Sequence, residues 1–251
     1  MINKCIAVVD KIINIISFLI LIILILIGLY ALYDYHHIYE STELTEELKE
    51  LKPTKEQEKL SYEELKKING DIIAWITIDD TRIDYPILQG KDNTTYLTVD
   101  YNKQYSSAGS IFLDYRNDDS FTDDYSIIYG HNMYYKGMFS DIRNYSDKDY
   151  FDNHLTGSLF LKSGKYEIEV IAYSIINAFD DIPYNLMIYQ NNKNDEIIKY
   201  FLEKAKYKKE SNINRDDKIL LLSTCSTTAT EERMVLFTRI INYEDYIIES
   251  E

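Results

Sequence analysis

Residues Ile12 to Leu32 form an apolar run whose polar exceptions are Asn14 and Ser17. Such a run, at about 1.5 Å per residue, spans about 30 Å, the thickness of a bilayer's hydrocarbon core. It therefore reads as a membrane-crossing helix, and the remaining chain must build its own core elsewhere. A cleaved signal peptide has a shorter apolar core and a small-residue cleavage site, and Tyr30-Ala31-Leu32-Tyr33-Asp34 offers none. The reading is a retained signal anchor at 12–32, with 1–11 as a cytoplasmic N-terminus. Lys4 and Lys11 precede the run, while Asp34, Glu40, Glu43, Glu46 and Glu47 follow it. Lysine on the N-terminal side keeps that end in the cytoplasm and sends the rest outside. Tyr30, Tyr33 and Tyr35 suit the outer interface.

Past the anchor, 33–69 reads as a charged helical stalk interrupted at Pro53. Ser61-Tyr62-Glu63-Glu64 is a capping-box pattern that would open a short helix, stopped at Gly70. The texture then changes over 70–245. Short β-like runs occur at Ile72–Ile78, Ile83–Leu88, Ser110–Leu113, Tyr125–Tyr129, Ser158–Leu161, Tyr166–Ile176, Ile219–Ser223 and Met234–Ile241. Tyr166, Ile168, Val170 and Ala172 alternate with Glu167, Glu169 and Ile171, which fits a partly exposed strand. The runs predict a mainly β fold, a closed eight-stranded barrel with N-terminal helices. A short helix is expected over Tyr145 to His154. A second, over Asp195 to Lys206, sets Ile197, Ile198, Phe201, Leu202 and Ala205 on one face. It forms a helical insertion before the cysteine strand, in a connection long enough to serve as a lid or wall. Residues 246–251 are a C-terminal tail.

The formal charge is −15, from 42 acidic and 27 basic residues. A phosphate backbone needs a basic face, so nucleic acid is excluded as a partner. A solvated acidic surface is preferred to one shaped for a cationic substrate. Cys225 is the only cysteine beyond the anchor, and Cys5 lies on the membrane's other side. An exported lone thiol is either buried and inert or kept reactive. His131 ends one β-like run and Arg233 stands eight residues after Cys225. Histidine can take and return the thiol proton, and a guanidinium can donate to an oxygen that gains negative charge. A strand, a loop through Ser226–Glu232 and an antiparallel return would bring Arg233 beside Cys225. Taken singly, the histidine can equally be a structural hydrogen-bonder and the arginine a surface charge. Tyr129 and Ser223, two residues before His131 and Cys225, share their strand faces and are candidates to line a groove. His36, His37, His131 and His154 show no ligand spacing in the folded region, so no metal is expected.

Ile127-Ile128-Tyr129-Gly130-His131-Asn132, Leu222-Ser223-Thr224-Cys225 and Arg233, in that order, resemble the sortases, cysteine transpeptidases of Gram-positive cell surfaces. The resemblance covers roughly 60 to 245 and the anchor before it, and class B, with its long insert beside the groove, is the best match. The family usually writes Thr-Leu-x-Thr-Cys, and Leu221 stands in place of the first threonine. That departure falls on the face of Ser223 and Cys225, and makes the groove floor the place to look for a difference. The resemblance implies a sortase-type barrel and catalytic roles for His131, Cys225 and Arg233. It implies cleavage of a C-terminal sorting signal after threonine, through a thioester on Cys225, without a cofactor. An amine of the peptidoglycan precursor or cross-bridge would then accept the surface protein. Asn93 and Leu97 match a segment that contacts the signal in class B relatives, and Tyr184 is a candidate wall residue.

Three other readings stand beside this one. A papain-like peptidase places its cysteine before its histidine, whereas His131 precedes Cys225 by 94 residues. A non-catalytic surface-binding barrel would bury an inert Cys225. A pilin-polymerising sortase would use a lysine of another subunit as acceptor, and ranks below wall anchoring because no pilin-specific lid segment precedes the barrel.

Overall fold

The computed structural model describes residues 2–42, 44–53, 58–133, 137–186, 194–225 and 231–241, with the side chains of 2–5, 7, 37–41, 58–60 and 225 outside the description. The expected tail at 246–251 and most of the loop after Cys225 also lie outside the described residues. The chain divides into two units, Met1–Ser41 and Thr42–Glu251. The first is built from helix α1 (Ile2–Thr42). Within it Val8–His36, 29 residues that include an 18-residue stretch with a mean hydropathy of 3.2, is long and apolar enough to cross a membrane.

In the second unit, α2 (Glu46–Glu50) is capped by Thr45, whose side chain accepts from the Leu48 N–H. Helix α3 (Glu58–Ile68) begins a turn earlier than the capping-box reading expects. Ser61 lies inside the helix and is buried, as are Tyr62 and Leu65. Packing of that face carries the helix back past the local capping signal.

Nine strands follow: β1 (Ile72–Ile78), β2 (Asp84–Leu88), β3 (Ile111–Leu113), β4 (Tyr125–Tyr129), β5 (Thr156–Leu161), β6 (Gly164–Asn177), β7 (Tyr207–Lys208), β8 (Lys218–Cys225) and β9 (Glu232–Ile241). Eight close a ring in the order β5-β1-β2-β3-β4-β8-β9-β6, with β6 pairing back onto β5. The two-residue β7, absent from the sequence reading, adds to β6 outside the ring. Closure leaves the ring without an open edge. The pairs β2–β3 and β4–β8 are parallel, and the latter carries the site. The expected helix at 145–154 divides into a 3-10 segment, Ser140–Ser146, and α4 (Lys148–Asn153), capped by Asp147. The insertion holds α5 (Asp181–Tyr184) and α6 (Asn194–Lys204).

Strand alternation creates two cores. On β8, Leu220 and Leu222 point into the barrel core, while Ile219 and Leu221 join a second core that also contains Ile197, Ile198 and Phe201 of α6. On β9, Leu236 is inside and Phe237 outside, its ring 4.7 Å from Phe201. Strand β6 departs from the simple alternation expected of it. Ile168 and Val170 face the barrel, Ile171 and Ala172 both face the second core, and Tyr173 returns to the barrel. A register shift between Val170 and Ala172 produces this change of phase. The strand is partly exposed, at Glu167, Ile175 and Asn177, while α6 covers Ile171 and Glu169 is buried in ion pairs with Lys209 and Arg239.

Candidate active site

The site lies where three strand ends meet. β4 and β8 run parallel with Tyr129 opposite Ser223, and the Gly130 N–H continues the ladder to the Ser223 carbonyl at 3.2 Å. Two residues further along each strand are His131 and Cys225, so the parallel register brings them to the same end of the sheet. β9 returns antiparallel with Arg233 paired to Cys225. A side chain at Gly130 would collide with Ile111 and Phe139, so glycine lets the chain leave β4 against the barrel wall and deliver His131 there.

A cleft of ≈ 220 Å³ opens at this point, lined by Asn93, Leu97, Phe112, Tyr129, Gly130, His131, Ser223, Thr224 and Arg233. The Nε2 of His131 is 2.8 Å from the Leu97 carbonyl oxygen. A carbonyl can only accept, so in this arrangement Nε2 carries the proton and Nδ1 of the neutral ring is the basic nitrogen. Leu97 closes the 3-10 turn Thr95–Leu97. Asp92 braces that turn: its Oδ1 accepts from the N–H groups and hydroxyls of Thr94 and Thr95 at 2.8–3.0 Å. The backbone bonds, chiefly, lower the Asp92 pKa to about 2. Half-buried Arg233 lines the cleft, with Nη1 donating to the Glu232 carbonyl at 3.0 Å.

The cleft's far side rests on Asp114, a fully buried carboxylate at the end of β3. Its oxygens accept from Asn93 Nδ2 at 2.8 Å, Tyr129 Oη at 3.0 Å, and Arg116 Nε and Nη2 at 2.8 and 2.7 Å. Burial pushes the Asp114 carboxyl up, but the Arg116 and Asn93 hydrogen bonds outweigh it and hold the group below its ordinary range. Burial first, then the Asp114 charge, raises the Tyr129 phenol far above its usual value. Arg116 also donates to the Tyr184 carbonyl at 3.2 Å. The Tyr184 ring stacks on Tyr129 at 6.5 Å, and its hydroxyl lies 3.0 Å from Ser223 Oγ.

Of the residues singled out in the sequence, His131, Arg233, Ser223, Tyr129, Asn93 and Leu97 line one cleft, and Tyr184 stands directly behind Tyr129 and Ser223. The Cys225 side chain lies outside the described residues; its backbone ends β8 beside this cleft. Leu221 belongs to the second core beneath α6 rather than to the cleft lining. The sequence reading missed Asp114, Arg116 and Phe112. The available signal was Asp114-Tyr115-Arg116, an acid and an arginine two apart just past the apolar run of β3. His154 bonds the Tyr150 carbonyl through Nδ1 at 2.7 Å and stacks on that tyrosine. Among the described residues no group of histidine, cysteine and carboxylate side chains has the arrangement of a metal site.

Residues 76–241 match the family model for the sortase domain. Sortase B of Listeria monocytogenes is 38% identical over 181 residues, covering 71% of this chain and 73% of that protein. Of solved structures, a Streptococcus pyogenes class B sortase involved in pilus biogenesis is similar, with a TM-score of 0.66 and 33% identity over 71% of this chain and 97% of that one. A Staphylococcus aureus sortase B–substrate complex is also similar, with a TM-score of 0.64 and 31% identity over 73% of this chain and 85% of that one.

Proposed function

The chain belongs to the sortase family, in its class B, and from that premise we propose that it cleaves a C-terminal sorting signal after threonine and transfers the surface protein to a peptidoglycan amine. The reading rests on one observation: the strand ending in Cys225 pairs with β4, which leads to His131, and with β9, which starts beside Arg233. In the first step the Cys225 thiolate attacks the carbonyl carbon after threonine. The developing oxyanion takes hydrogen bonds from the Arg233 guanidinium. Protonated His131 gives its Nδ1 proton to the leaving amine, the C–N bond breaks, and a thioester remains on Cys225. In the second step neutral His131 takes a proton from the incoming amine, the new C–N bond forms, and the thiolate leaves. Asn93, Leu97, Tyr129, Ser223 and Tyr184 bind the signal. A similar enzyme, the Staphylococcus aureus sortase B, is solved as a complex with its substrate, which supports a peptide-binding cleft here.

The anchor at 12–32 holds the enzyme in the cell membrane with residues 1–11 in the cytoplasm, 33–69 as a charged stalk and N-terminal helices, and the catalytic barrel, 70–245, outside. Helix α1 is compatible with that anchor through its length and hydropathy, and the lysines before it and acids after it favour this orientation.

A second acceptor stays in view because one similar class B enzyme is involved in pilus biogenesis. There the resolving amine would be a lysine of another protein subunit.

Intact-mass analysis of the ectodomain from about Ser41, incubated with sorting peptides, tests both readings. Wild type should gain the mass of an acyl group that hydroxylamine removes, and Cys225→Ala should gain none. Discharge by diaminopimelate or triglycine supports wall anchoring, and discharge only by a protein lysine supports pilin polymerisation. A wild-type protein that forms no adduct and whose thiol resists a small alkylating reagent would sink the transpeptidase reading.

A further inference from the structure

We infer that Asp114 and Arg116 form a positioning pair that sets the hydrogen-bond polarity of the substrate cleft and couples its walls. The inference rests on the sortase reading of this cleft and extends it to two residues that touch no substrate. Asp114 is fully buried, and three parts of the chain converge on it: Asn93 from the loop after β2, Tyr129 from β4, and Arg116 from the loop after β3. Gln89 Nε2 adds a bond to the Asp114 carbonyl at 3.0 Å. Arg116 extends the connection to the insertion through the Tyr184 carbonyl.

An ionised carboxylate only accepts, and that fixes the roles of its neighbours. The Tyr129 hydroxyl spends its proton on Asp114, so its oxygen is left to accept from an occupant of the cleft. Asn93 turns Nδ2 towards Asp114, and its Oδ1 accepts the Tyr115 N–H at 3.0 Å. What remains of Asn93 is one Nδ2 hydrogen, a donor. At Tyr129 and Asn93 the cleft wall therefore presents an acceptor beside a donor, the complement of an amide, whether in a peptide backbone or a carboxamide side chain. Hydrogen bonds to Arg116 and Asn93 keep Asp114 ionised through neutral and mildly acidic pH. Because Tyr184 stacks on Tyr129 and bonds Ser223, two residues before Cys225, the pair also braces the wall nearest the nucleophile.

Asp114→Asn keeps the shape but turns one acceptor into a donor facing Asn93 and Tyr129. Steady-state kinetics with a sorting peptide, alkylation of Cys225 by iodoacetamide and thermal melting would be measured on wild type, Asp114→Asn, Arg116→Lys, Tyr129→Phe and the Asp114→Asn/Tyr129→Phe double variant. For Asp114→Asn, KM should rise about 10–100-fold, the range of a lost charge-assisted hydrogen bond. Alkylation should stay within about twofold of wild type, because the thiol's own surroundings are unchanged. The double variant should lose less than the product of its single losses, because both break the same Asp114–Tyr129 bond. If Asp114→Asn does not fold, Arg116→Lys, which keeps the charge and loses the planar fork, carries the test with the same expected split. A KM within twofold of wild type in the folded variants, or alkylation falling in step with kcat/KM, overturns the inference. Wild type that fails to acylate at all overturns the transpeptidase reading on which this inference rests.

Discussion

Arg233 is the residue whose chemistry constrains the mechanism most. It cannot act as a base near neutral pH, and it is paired in register with the nucleophile's backbone. In the proposed mechanism its value is a planar set of donors at the place where negative charge would appear. Arg233→Lys keeps the charge and loses the fork. The acylation rate should fall about 10²–10³-fold, the range for loss of an oxyanion donor, with KM much less affected. Single-turnover mass spectrometry of the acyl-enzyme measures this directly, and an unchanged rate would remove Arg233 from the oxyanion role. At the same scale, Leu221, where the resemblance expects a threonine, lies outside the cleft lining. On β8 its side chain points into the second core, one residue pair short of Ser223, where the strand face passes from packed core to cleft.

At the scale of elements, α6 links the fold to the site. Ile197, Ile198 and Phe201 are buried on the outer face of β8 and β9, and the connection that carries them also carries Tyr184. Phe201→Ala removes the ring stacked on Phe237 and leaves a cavity, at a cost of about 3–5 kcal/mol. At about 2–4 °C per kcal/mol for a domain of this size, the melting temperature should fall by about 6–20 °C. A calorimetric melt unchanged by the substitution would show that the insertion does not stabilise the barrel. These elements also separate what was readable in the sequence from what was not. Period-2 alternation and apolar runs marked eight strands, and the 3.6-residue stripe marked α6, because each reports a single face meeting a single core. The phase change in β6 was hidden because a bulge bonded to β9 causes it, and no local pattern records a partner strand. The rest of the Asp114 hub was hidden for the same reason, since Tyr129 and Asn93 lie 15 and 21 residues away and meet it only when the barrel closes, while Arg116, two residues on, was the one local signal. His131, Cys225 and Arg233 were readable because a lone thiol and strand-end polar residues are rare enough to stand out.

The whole molecule contains 24 tyrosines, and burial raises the phenols of several of them. Burial is the leading cause that raises Tyr129 and Tyr145 far above 10.0, and lifts Tyr96 and Tyr173 to about 12. For a phenol whose folded pKa is raised, the folded state holds more protons than the unfolded state above the unfolded pKa. Its contribution to stability is complete below about 10 and is lost as pH rises through the folded value. The lowered carboxyls, Asp92, Asp114 and Glu169, act in the opposite direction. Their contribution is present above about 4 and is lost as pH falls through their lower folded values. Stability should therefore hold from mildly acidic pH to about 10 and fall on both sides, with the alkaline side steepened by self-repulsion in a chain already at −15. A spectrophotometric tyrosine titration of the ectodomain, followed together with far-ultraviolet circular dichroism, separates the populations. Exposed phenols should ionise near 10 with the fold intact. The buried set should ionise later, in one cooperative step that coincides with loss of secondary structure. If all phenols titrated together near 10 while the barrel remained folded, these four tyrosines would have to be open to solvent, and the close packing of Tyr129 against Asp114 and Tyr184 would be wrong.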